Sequence, residues 1–314
     1  MLVNVPSAEG LNEAALRSYF DVWMRTVEIY TDFAESHDLN VGDLQAEHAH
    51  KELWDEYSND AQQEISHLIS MLLQAIELRL KSLVAQVSPY LLLLNGSFQF
   101  SRKEAQIDFA SLKTLDAIDL PRAVIALTDY ELPQSFEPRF DELRRIRNRM
   151  MHLGVHEAAF EPSELIATLV EVYAILWREG EWLTNRVKYD GKSARRFFHD
   201  YEWSSPVSDA MADLRHLQAL MSNEMFKMCI GAKKSSIQIF CPHCLESAAS
   251  ELRRELGCAT AIQTGHDSAK CLMCQADLTI ALASEPCSDC GSVHFVTIPQ
   301  DECALVCCKQ CGCY

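Results

Sequence analysis

Cysteine is absent from the first 228 residues of this 314-residue chain, and all thirteen cysteines lie between Cys229 and Cys313. So uneven a distribution predicts a boundary between two regions of different composition. The N-terminus also lacks a basic stretch followed by an apolar one and a small-residue cleavage site, so we expect a protein that is not exported. Because disulfide frameworks normally accompany secretion, the thiols are predicted to be reduced and to bind a metal.

Long apolar runs are missing as well. The densest run, Leu91 to Leu94, is soon followed by Asn95, Gly96 and Ser97, far short of the roughly 18 apolar residues that a transmembrane helix needs. Hydrophobic content of 48% with 23% charged residues is typical of soluble globular proteins. We therefore expect a soluble, cytoplasmic protein of two domains without a membrane partner.

Positive charge is scarce. The formal net charge is −17, and residues 1–60 hold thirteen acidic residues against three basic ones. This balance argues against a protein that binds nucleic-acid phosphates over much of its surface. One local run departs from it, however: Arg139, Arg144, Arg145, Arg147 and Arg149. The run is interpreted either as a solvated helix face with neighbouring acids or as a surface for RNA, which the acidic first 60 residues could shield.

Apolar residues recur at spacings of three and four through most of the first 228 residues, which predicts a mainly α fold. The helix over 61–87 has a continuous apolar surface and is predicted to be central, whereas 95–118 stays ambiguous. Composition predicts an acidic helical extension (1–60), a helical domain (61–228) and a small cysteine-rich domain with short β-strands (229–314). The predicted helices are 8–35, 43–57, 61–87, 120–130, 136–153, 162–185 and 206–229.

Arg147 lies where a core residue is due on the helix over 136–153. The stripe of Phe136, Phe140 and Leu143 continues to Arg147 and then Met150 at spacings of four, three, four and three residues. A guanidinium on such a stripe needs a carboxylate, as in a structural ion pair, or a phosphate, as in a functional site. His152 follows five residues later, so the two side chains meet only if the last turn loosens or if two copies of the chain come together.

Arg147 is followed directly by Asn148 and, five positions after the arginine, by His152, on a helix between long core helices. This arrangement resembles the signature of the HEPN superfamily. The resemblance covers roughly residues 60–190. It implies a helical bundle, a homodimer whose two motifs face each other, and a metal-independent ribonuclease site, and it assigns Arg147 and His152 as catalytic with Asn148 as the orienting residue. Members often act as toxins or in antiphage defence, so RNA and an antitoxin or regulatory protein are expected partners. Arg144, Arg145 and Arg149 are predicted to contact the RNA.

The chemistry expected of this motif needs no metal. A histidine removes the proton of the 2′-hydroxyl, and an arginine stabilises the charge that builds on the phosphorus oxygens, which gives a 2′,3′-cyclic phosphate. Two alternatives stay open. The first is a non-catalytic dimeric scaffold, or a nucleic-acid-binding protein, in which the cysteine-rich domain carries the interaction; the second is a redox or metal sensor built on the surplus cysteines.

Four pairs of cysteines with two intervening residues indicate two structural zinc sites with four thiolates each. The predicted ligands are Cys241, Cys244, Cys271, Cys274, Cys287, Cys290, Cys308 and Cys311. The pairs could combine in sequential or in crossed order. Competing ligands are Cys258, Cys303, Cys307, Cys313, His243, His266 and His294, whereas Cys229 is predicted to be packed.

The last two cysteine pairs are each followed directly by a glycine, Gly291 and Gly312, as the turn around a zinc-binding pair favours. Short strands over 292–299 and 303–306 complete a zinc-ribbon pattern, although 246–256 reads as helical. Such a tail is interpreted first as a structural element that gains its fold from the metal, and second as a binding module.

Overall fold

The computed structural model describes residues 2–39, 50–94, 106–153, 160–177, 180–191, 205–248, 258–298 and 305–313, with the backbone alone at 150–153. The chain forms two compact units. The first comprises Met1–Ser36 and His48–Leu176, and the second comprises His37–Glu47 and Trp177–Tyr314.

The first unit is mainly helical. Its helices are α1 (Ala8–Ser36), α2 (Lys51–Asp60), α3 (Gln62–Val87), α4 (Leu120–Leu127), α5 (Phe136–Leu153) and α6 (Pro162–Leu176). Two short strands, β1 (Leu2–Val3) and β2 (Ile107–Asp108), pair in parallel. Among the described residues of the whole chain, no helix is both long enough and apolar enough to cross a lipid bilayer.

Helix α3 is the centre of this unit, because it packs against α1, α4, α5 and α6. The prediction of a central helix with a continuous apolar surface is therefore confirmed. Burial of these branched side chains supplies most of the free energy that holds the bundle together. All eight apolar residues from which the prediction was made are buried: Ile65, Leu68, Ile69, Leu72, Leu73, Ile76, Leu80 and Leu83.

Part of the ambiguous segment 95–118 is anchored by the N-terminus. Strand β2 lies in register with β1, and the side-chain amide of Asn4 donates a hydrogen bond of 2.8 Å to the carboxylate of Asp108. The segment therefore pairs with a strand about a hundred residues away in sequence, which no local pattern predicts. Residues 95–105 lie outside the described part of the chain.

The second unit combines helices with a sheet. The helices are α7 (Trp182–Gly191), α8 (Pro206–Leu220), α9 (Asn223–Ile230) and α10 (Pro242–Ser247). The strands are β3 (Ile237–Ile239), β4 (Ala261–Gln263), β5 (Ser268–Cys271), β6 (Asp277–Leu282), β7 (His294–Thr297) and β8 (Val306–Cys308). They form one antiparallel sheet in chain order, more extensive than the two predicted strands.

Two predicted helices are each divided in the structure, so the predictions of single helices over 162–185 and 206–229 are wrong. Helix α6 ends at Leu176 and α7 begins at Trp182, and between them Gly180 adopts a left-handed φ of +80° that an α-helix excludes. Helix α8 ends at Leu220, and Ser222 caps a new helix by accepting a hydrogen bond of 3.2 Å from the amide of Met225.

The compact units divide the chain at other places than the predicted segments 1–60, 61–228 and 229–314. Helix α1 buries its apolar face against α3 and so belongs to the helical unit rather than to a separate extension. Helices α7, α8 and α9 belong to the same unit as the cysteine-rich sheet. Burial decides this division, because each amphipathic helix joins the core that covers its apolar side.

The side chain of Gln62 fastens the start of α3 to the residue that leads into α6. Its amide nitrogen donates to the carbonyl oxygens of Ser58 (2.9 Å) and Phe160 (3.3 Å), and its amide oxygen accepts from the backbone amide of Phe160 (2.9 Å). The side chain is buried. Because water cannot replace these bonds, their loss leaves backbone groups without partners.

We therefore predict that Gln62→Ala lowers the free energy of unfolding by about 1–3 kcal/mol, the usual cost of buried polar groups left without partners. The matched control is Gln63→Ala, which removes the same side chain from an exposed position one residue later and should change stability by less than about 0.5 kcal/mol. Urea denaturation followed by circular dichroism at 222 nm measures both variants. Equal effects of the two substitutions would refute the role given to Gln62.

Candidate metal centres and the Arg147 helix

Arg147 continues the buried stripe of α5. Phe136, Phe140 and Leu143 are buried as predicted, and Arg147 on the same stripe is half-buried. Its Nε and Nη2 donate hydrogen bonds of 3.3 and 3.1 Å to the Oδ1 atom of Asn148. Among the described residues Arg147 forms no ion pair with a carboxylate. In the described part of the chain the partner of the guanidinium is therefore a neutral side chain.

The backbone of His152 belongs to α5, which stays helical to Leu153. At about 100° per residue, position 152 lies about 140° around the helix axis from position 147. The last turn does not loosen, so the helix itself does not bring the two positions to one face. The predicted helix end at Gly154 lies outside the described residues, as do the side chains of Met150 and His152.

The other arginines of the run fall into two groups. Arg139 pairs with Glu142 at 2.6 Å, and Arg144 pairs with Asp141 at 3.0 Å, so these two fit the interpretation as a helix face with neighbouring acids. Arg145 and Arg149 are exposed, and in the described part of the chain neither forms an ion pair. Because they are four residues apart, they lie on one face of the helix.

The first thiol set comprises Cys241, Cys244, Cys271 and Cys274. Cys241 precedes α10 and Cys244 lies within it, while Cys271 ends β5 and Cys274 lies in the turn that follows. The four sulfurs lie within 4.8 Å of one another. Cys241 Sγ is 3.7 Å from Cys274 Sγ, and Cys244 Sγ is 3.6 Å from Cys271 Sγ.

The second thiol set comprises Cys287, Cys290, Cys308 and Cys311. The first two lie in the connection between β6 and β7, Cys308 ends β8, and Cys311 lies in the turn after it. Their sulfurs also lie within 4.8 Å of one another. Cys287 Sγ is 3.5 Å from Cys311 Sγ, and Cys290 Sγ is 3.5 Å from Cys308 Sγ.

These distances fit one tetrahedral ion in each set. With metal–sulfur bonds of about 2.3 Å, a tetrahedral site separates its sulfurs by about 3.8 Å. A disulfide would bring two sulfurs to about 2.05 Å. An iron–sulfur cluster distributes its thiolates over several irons and would hold them farther apart. The two sets are therefore positioned to bind two metal ions through four thiolates each.

The cysteine pairs combine in sequential order, the first with the second and the third with the fourth. The crossed alternative does not occur. The eight cysteines are those that the spacing predicts. Of the competing ligands, Cys303 lies outside the described residues, and six lie outside both sets: Cys258, Cys307, Cys313, His243, His266 and His294.

Burial disfavours ionisation of thiols outside the two sets. It raises the pKa of Cys258 to about 11 and that of Cys307 to about 12, so both are neutral thiols near pH 7. Cys229 is fully buried, as predicted, and burial raises its pKa well above the usual value. Backbone amides of Cys290 and Asp289 instead donate to the Cys287 sulfur and lower its pKa to about 7. Hydrogen bonds from the thiols of Cys241 and Cys244 hold the pKa of Cys274 far below its usual range.

A left-handed residue follows the second cysteine in three of the four pairs. Gly291 has a φ of +73° and Gly312 a φ of +74°, as expected of the glycines at these turns. The sequence does not predict that Gln275 takes the same conformation, with a φ of +64°, after Cys274. The sequence signal that could have indicated this conformation is the position of Gln275 directly after a cysteine pair.

Gly312 also lies very close to a neighbouring segment. A Cβ atom built at Gly312 would stand 2.7 Å from Cδ1 of Phe240 and 3.0 Å from Cδ1 of Leu245, whereas one built at Gly291 would meet nothing within 4 Å. The two glycines therefore share a backbone conformation and differ in packing.

No protein-family model, no curated protein and no solved structure matches this chain. Its fold and its sites therefore have to be interpreted from their own geometry.

We predict that Gly312→Ala is much more disruptive than Gly291→Ala. Both substitutions cost about 1–2 kcal/mol for a left-handed alanine. Gly312→Ala adds overpacking against Phe240 and Leu245, typically about 1–3 kcal/mol. Urea unfolding of the metal-loaded protein measures both variants.

Both substitutions add a Cβ atom to a glycine in the same backbone conformation, so each is the control for the other. Equal losses of stability would contradict the close packing of Gly312 against Phe240.

Proposed function

We propose that this protein is a metal-independent endoribonuclease of the HEPN type, acting as a homodimer in a toxin or antiphage-defence role, and that its two thiol sets hold structural zinc. RNA is the substrate, and Arg147 and His152 are the catalytic residues. Asn148 orients the arginine.

The observation that carries the proposal is the state of the Arg147 guanidinium. It is half-buried on an otherwise apolar stripe, and its partner in the described part of the chain is the neutral side chain of Asn148. A structural arginine at such a position would normally be neutralised by a carboxylate. A guanidinium that is oriented by an amide suits a phosphate ligand, which arginine binds through two parallel N–H groups.

The charge around this helix supports a binding role for its exposed face. Arg145 and Arg149 add two positive charges on one side of α5, about two turns and one turn before its end, respectively. Arg144 supports the proposal less, because it pairs with Asp141 and its guanidinium carbon lies 5.9 Å from the centre of the Phe140 ring. RNA contacts are therefore assigned first to Arg145 and Arg149.

The geometry of α5 supports a site shared between two copies. Because the helix stays regular to Leu153, positions 147 and 152 of one chain lie about 140° apart around the helix axis. A twofold axis beside the end of α5 would place the arginine of one copy and the histidine of the other at the same phosphodiester. A single chain would offer only half of the site.

The reaction then follows from the two side chains. The imidazole of His152 removes the proton of the ribose 2′-hydroxyl, and the resulting oxygen attacks the neighbouring phosphorus. Arg147 stabilises the negative charge on the phosphorus oxygens in the transition state. The 5′-oxygen leaves with a proton, so the products are a 2′,3′-cyclic phosphate and a 5′-hydroxyl.

Zinc is the metal that best suits the two thiol sets. It prefers tetrahedral coordination, and sites with four cysteine ligands are structural because they leave no open position. Binding to eight thiolates stabilises a sheet whose strands are only three to six residues long. The ions therefore serve folding and not catalysis.

A second candidate function is a scaffold whose cysteine-rich sheet binds a partner. An open groove of about 570 Å³ beside Cys287 favours it, because its lining includes Ala281, Phe295 and Val306. Leu282 at its border is 73% exposed. Apolar surface of this kind often marks an interaction site. Such a scaffold would bind its partner without cutting RNA.

We predict that the protein cleaves RNA in the presence of EDTA and that Arg147→Ala and His152→Ala each lower the rate by about 10²–10⁴, the usual contribution of a positioned acid, base or charge stabiliser. Total cellular RNA and fluorescent single-stranded oligoribonucleotides serve as substrates, and end-group analysis identifies the cyclic phosphate. The same oligonucleotides made of DNA should stay intact, because they lack the 2′-hydroxyl.

The control is Arg17→Ala, which removes an exposed arginine from α1 and should leave the rate unchanged. Cleavage by His152→Ala at the wild-type rate, or products with a 3′-hydroxyl, would exclude this mechanism.

We also predict that the purified chain carries two zinc ions, one in each thiol set. Elemental analysis should find zinc, and the protein should be colourless, since iron bound to four thiolates absorbs visible light. Cys290→Ser removes an exposed ligand and should reduce the content to one ion. Cys258→Ser removes a thiol outside both sets and should keep both ions. Iron as the main metal, or the same loss in both variants, would contradict the assignment.

A further inference from the structure

The two thiol sets differ in how well the protein covers their sulfurs. In the first set, Cys241 and Cys271 are 0% exposed and Cys244 is 1% exposed. In the second set, Cys290 is exposed and Cys311 is half-buried. Cys274 of the first set is also half-buried, and Cys287 and Cys308 of the second set are buried, so the two sets differ chiefly at Cys290, through which small solutes reach the second set.

Hydrogen bonds add to the protection of the first set. The Cys271 sulfur accepts from the backbone amides of Met273 (3.4 Å) and Cys274 (3.5 Å), and the hydroxyl of Thr260 lies 3.5 Å from it. Thr184 on α7 donates to the carbonyl oxygen of Met273 at 3.0 Å. This set is thus tied into the helical part of its unit.

The second set has an additional thiol beside it. Cys313 is half-buried and follows Cys311 after a single residue, Gly312, in the left-handed conformation. The carbonyl oxygen of Cys313 accepts a hydrogen bond of 2.7 Å from the amide of Cys308. Its thiol is within hydrogen-bonding reach of the Asp289 carboxylate and of the Cys311 sulfur. A thiol that is not a ligand is therefore held next to one that is.

On the basis of the two-zinc part of the proposed function, we propose that the second thiol set is a site of reversible oxidation by hydroperoxides, in which Cys311 is oxidised and Cys313 closes a disulfide with it. The first set keeps its metal throughout. The nuclease activity plays no part in this inference.

The chemistry balances with hydrogen peroxide as the oxidant. The Cys311 thiolate sulfur attacks one peroxide oxygen, the O–O bond breaks, and hydroxide leaves and takes a proton from solvent, so that Cys311 becomes a sulfenic acid. The Cys313 sulfur then attacks the Cys311 sulfur, an S–S bond forms, and the sulfenic oxygen leaves as water with the thiol proton. Two electrons pass from the two cysteines to one peroxide.

The consequence is a loss of metal from one set only. Three thiolates remain in the second set, and a tetrahedral ion that has lost a ligand dissociates more easily. A reductant such as dithiothreitol restores the thiols, after which zinc can bind again. Without Cys313, the sulfenic acid at Cys311 would proceed to sulfinic acid, which thiols do not reduce.

The test uses the full-length zinc-loaded protein treated with hydrogen peroxide. A metal-binding dye records zinc release, and differential alkylation followed by mass spectrometry identifies the oxidised cysteines. We expect release of one of the two ions and a disulfide between Cys311 and Cys313, while Cys241, Cys244, Cys271 and Cys274 stay reduced. Dithiothreitol should restore two bound ions.

Cys313→Ser should still release one ion, but dithiothreitol should not restore it, and Cys311 should carry sulfinic acid. Cys258→Ser, which removes a half-buried thiol outside both sets, should behave like the wild type. Release of the first set's ion, or full recovery of Cys313→Ser, would overturn the proposal. Fewer than two ions in the untreated protein would overturn the two-zinc assignment itself. If the protein lacks nuclease activity but responds to peroxide as described, the proposed redox site is still supported.

Discussion

The proposed site rests on the position of the Arg147 guanidinium. A guanidinium on the apolar stripe of α5 is costly unless it is neutralised or faces water. It lies half-buried, with Asn148 as its partner in the described part of the chain. The apolar packing of Phe136, Phe140 and Leu143 fixes the helix below it, and the arginine is thereby presented at a fixed position on the rim of the core.

The bundle around this helix supports it from several sides. Helix α3 packs against α5, and polar contacts join Arg139 of α5 to Thr168 of α6 and Glu137 of α5 to Arg122 of α4. Proposed catalysis depends on such a support, because a small displacement of an arginine or an imidazole reduces the rate strongly. For the proposed site the remaining requirement is a second copy, since positions 147 and 152 lie about 140° apart around one regular helix.

The cysteine-rich unit follows a different physical principle. Its strands are short, and its two thiol sets are positioned to bind metal ions, which would add metal–thiolate bonds to the stabilisation of the sheet. The two sets share ligand type and geometry but differ in burial, with Cys271 enclosed and Cys290 exposed. One unit can thus contain a site that is purely structural and another that is open to chemistry.

Local patterns were sufficient for part of this structure. The spacing of three and four predicted the buried face of α3, and the two-residue spacing within cysteine pairs predicted all eight members of the thiol sets, because both depend on geometry within a few residues. The break at Gly180 was not predicted, since the apolar pattern continues through Trp182 and Leu183 and a single glycine costs a helix only about 1 kcal/mol.

Nonlocal pairings account for most of what the sequence did not reveal. Strands β3 to β6 contain only three to six residues, and their order in the sheet depends on partners rather than on propensity. The pairing of β1 with β2, and the close approach of Gly312 to Phe240, likewise join positions that are distant in sequence.

The distance between the two copies of His152 in the assembled protein, determined from a crystal structure of the homodimer, tests the proposed shared site. We expect a dimer in which the ends of the two α5 helices face each other and the two imidazoles lie within about 10 Å across a solvent-filled cleft, close enough to serve one phosphodiester. A monomer, or a dimer with the two α5 helices on opposite sides, would contradict it.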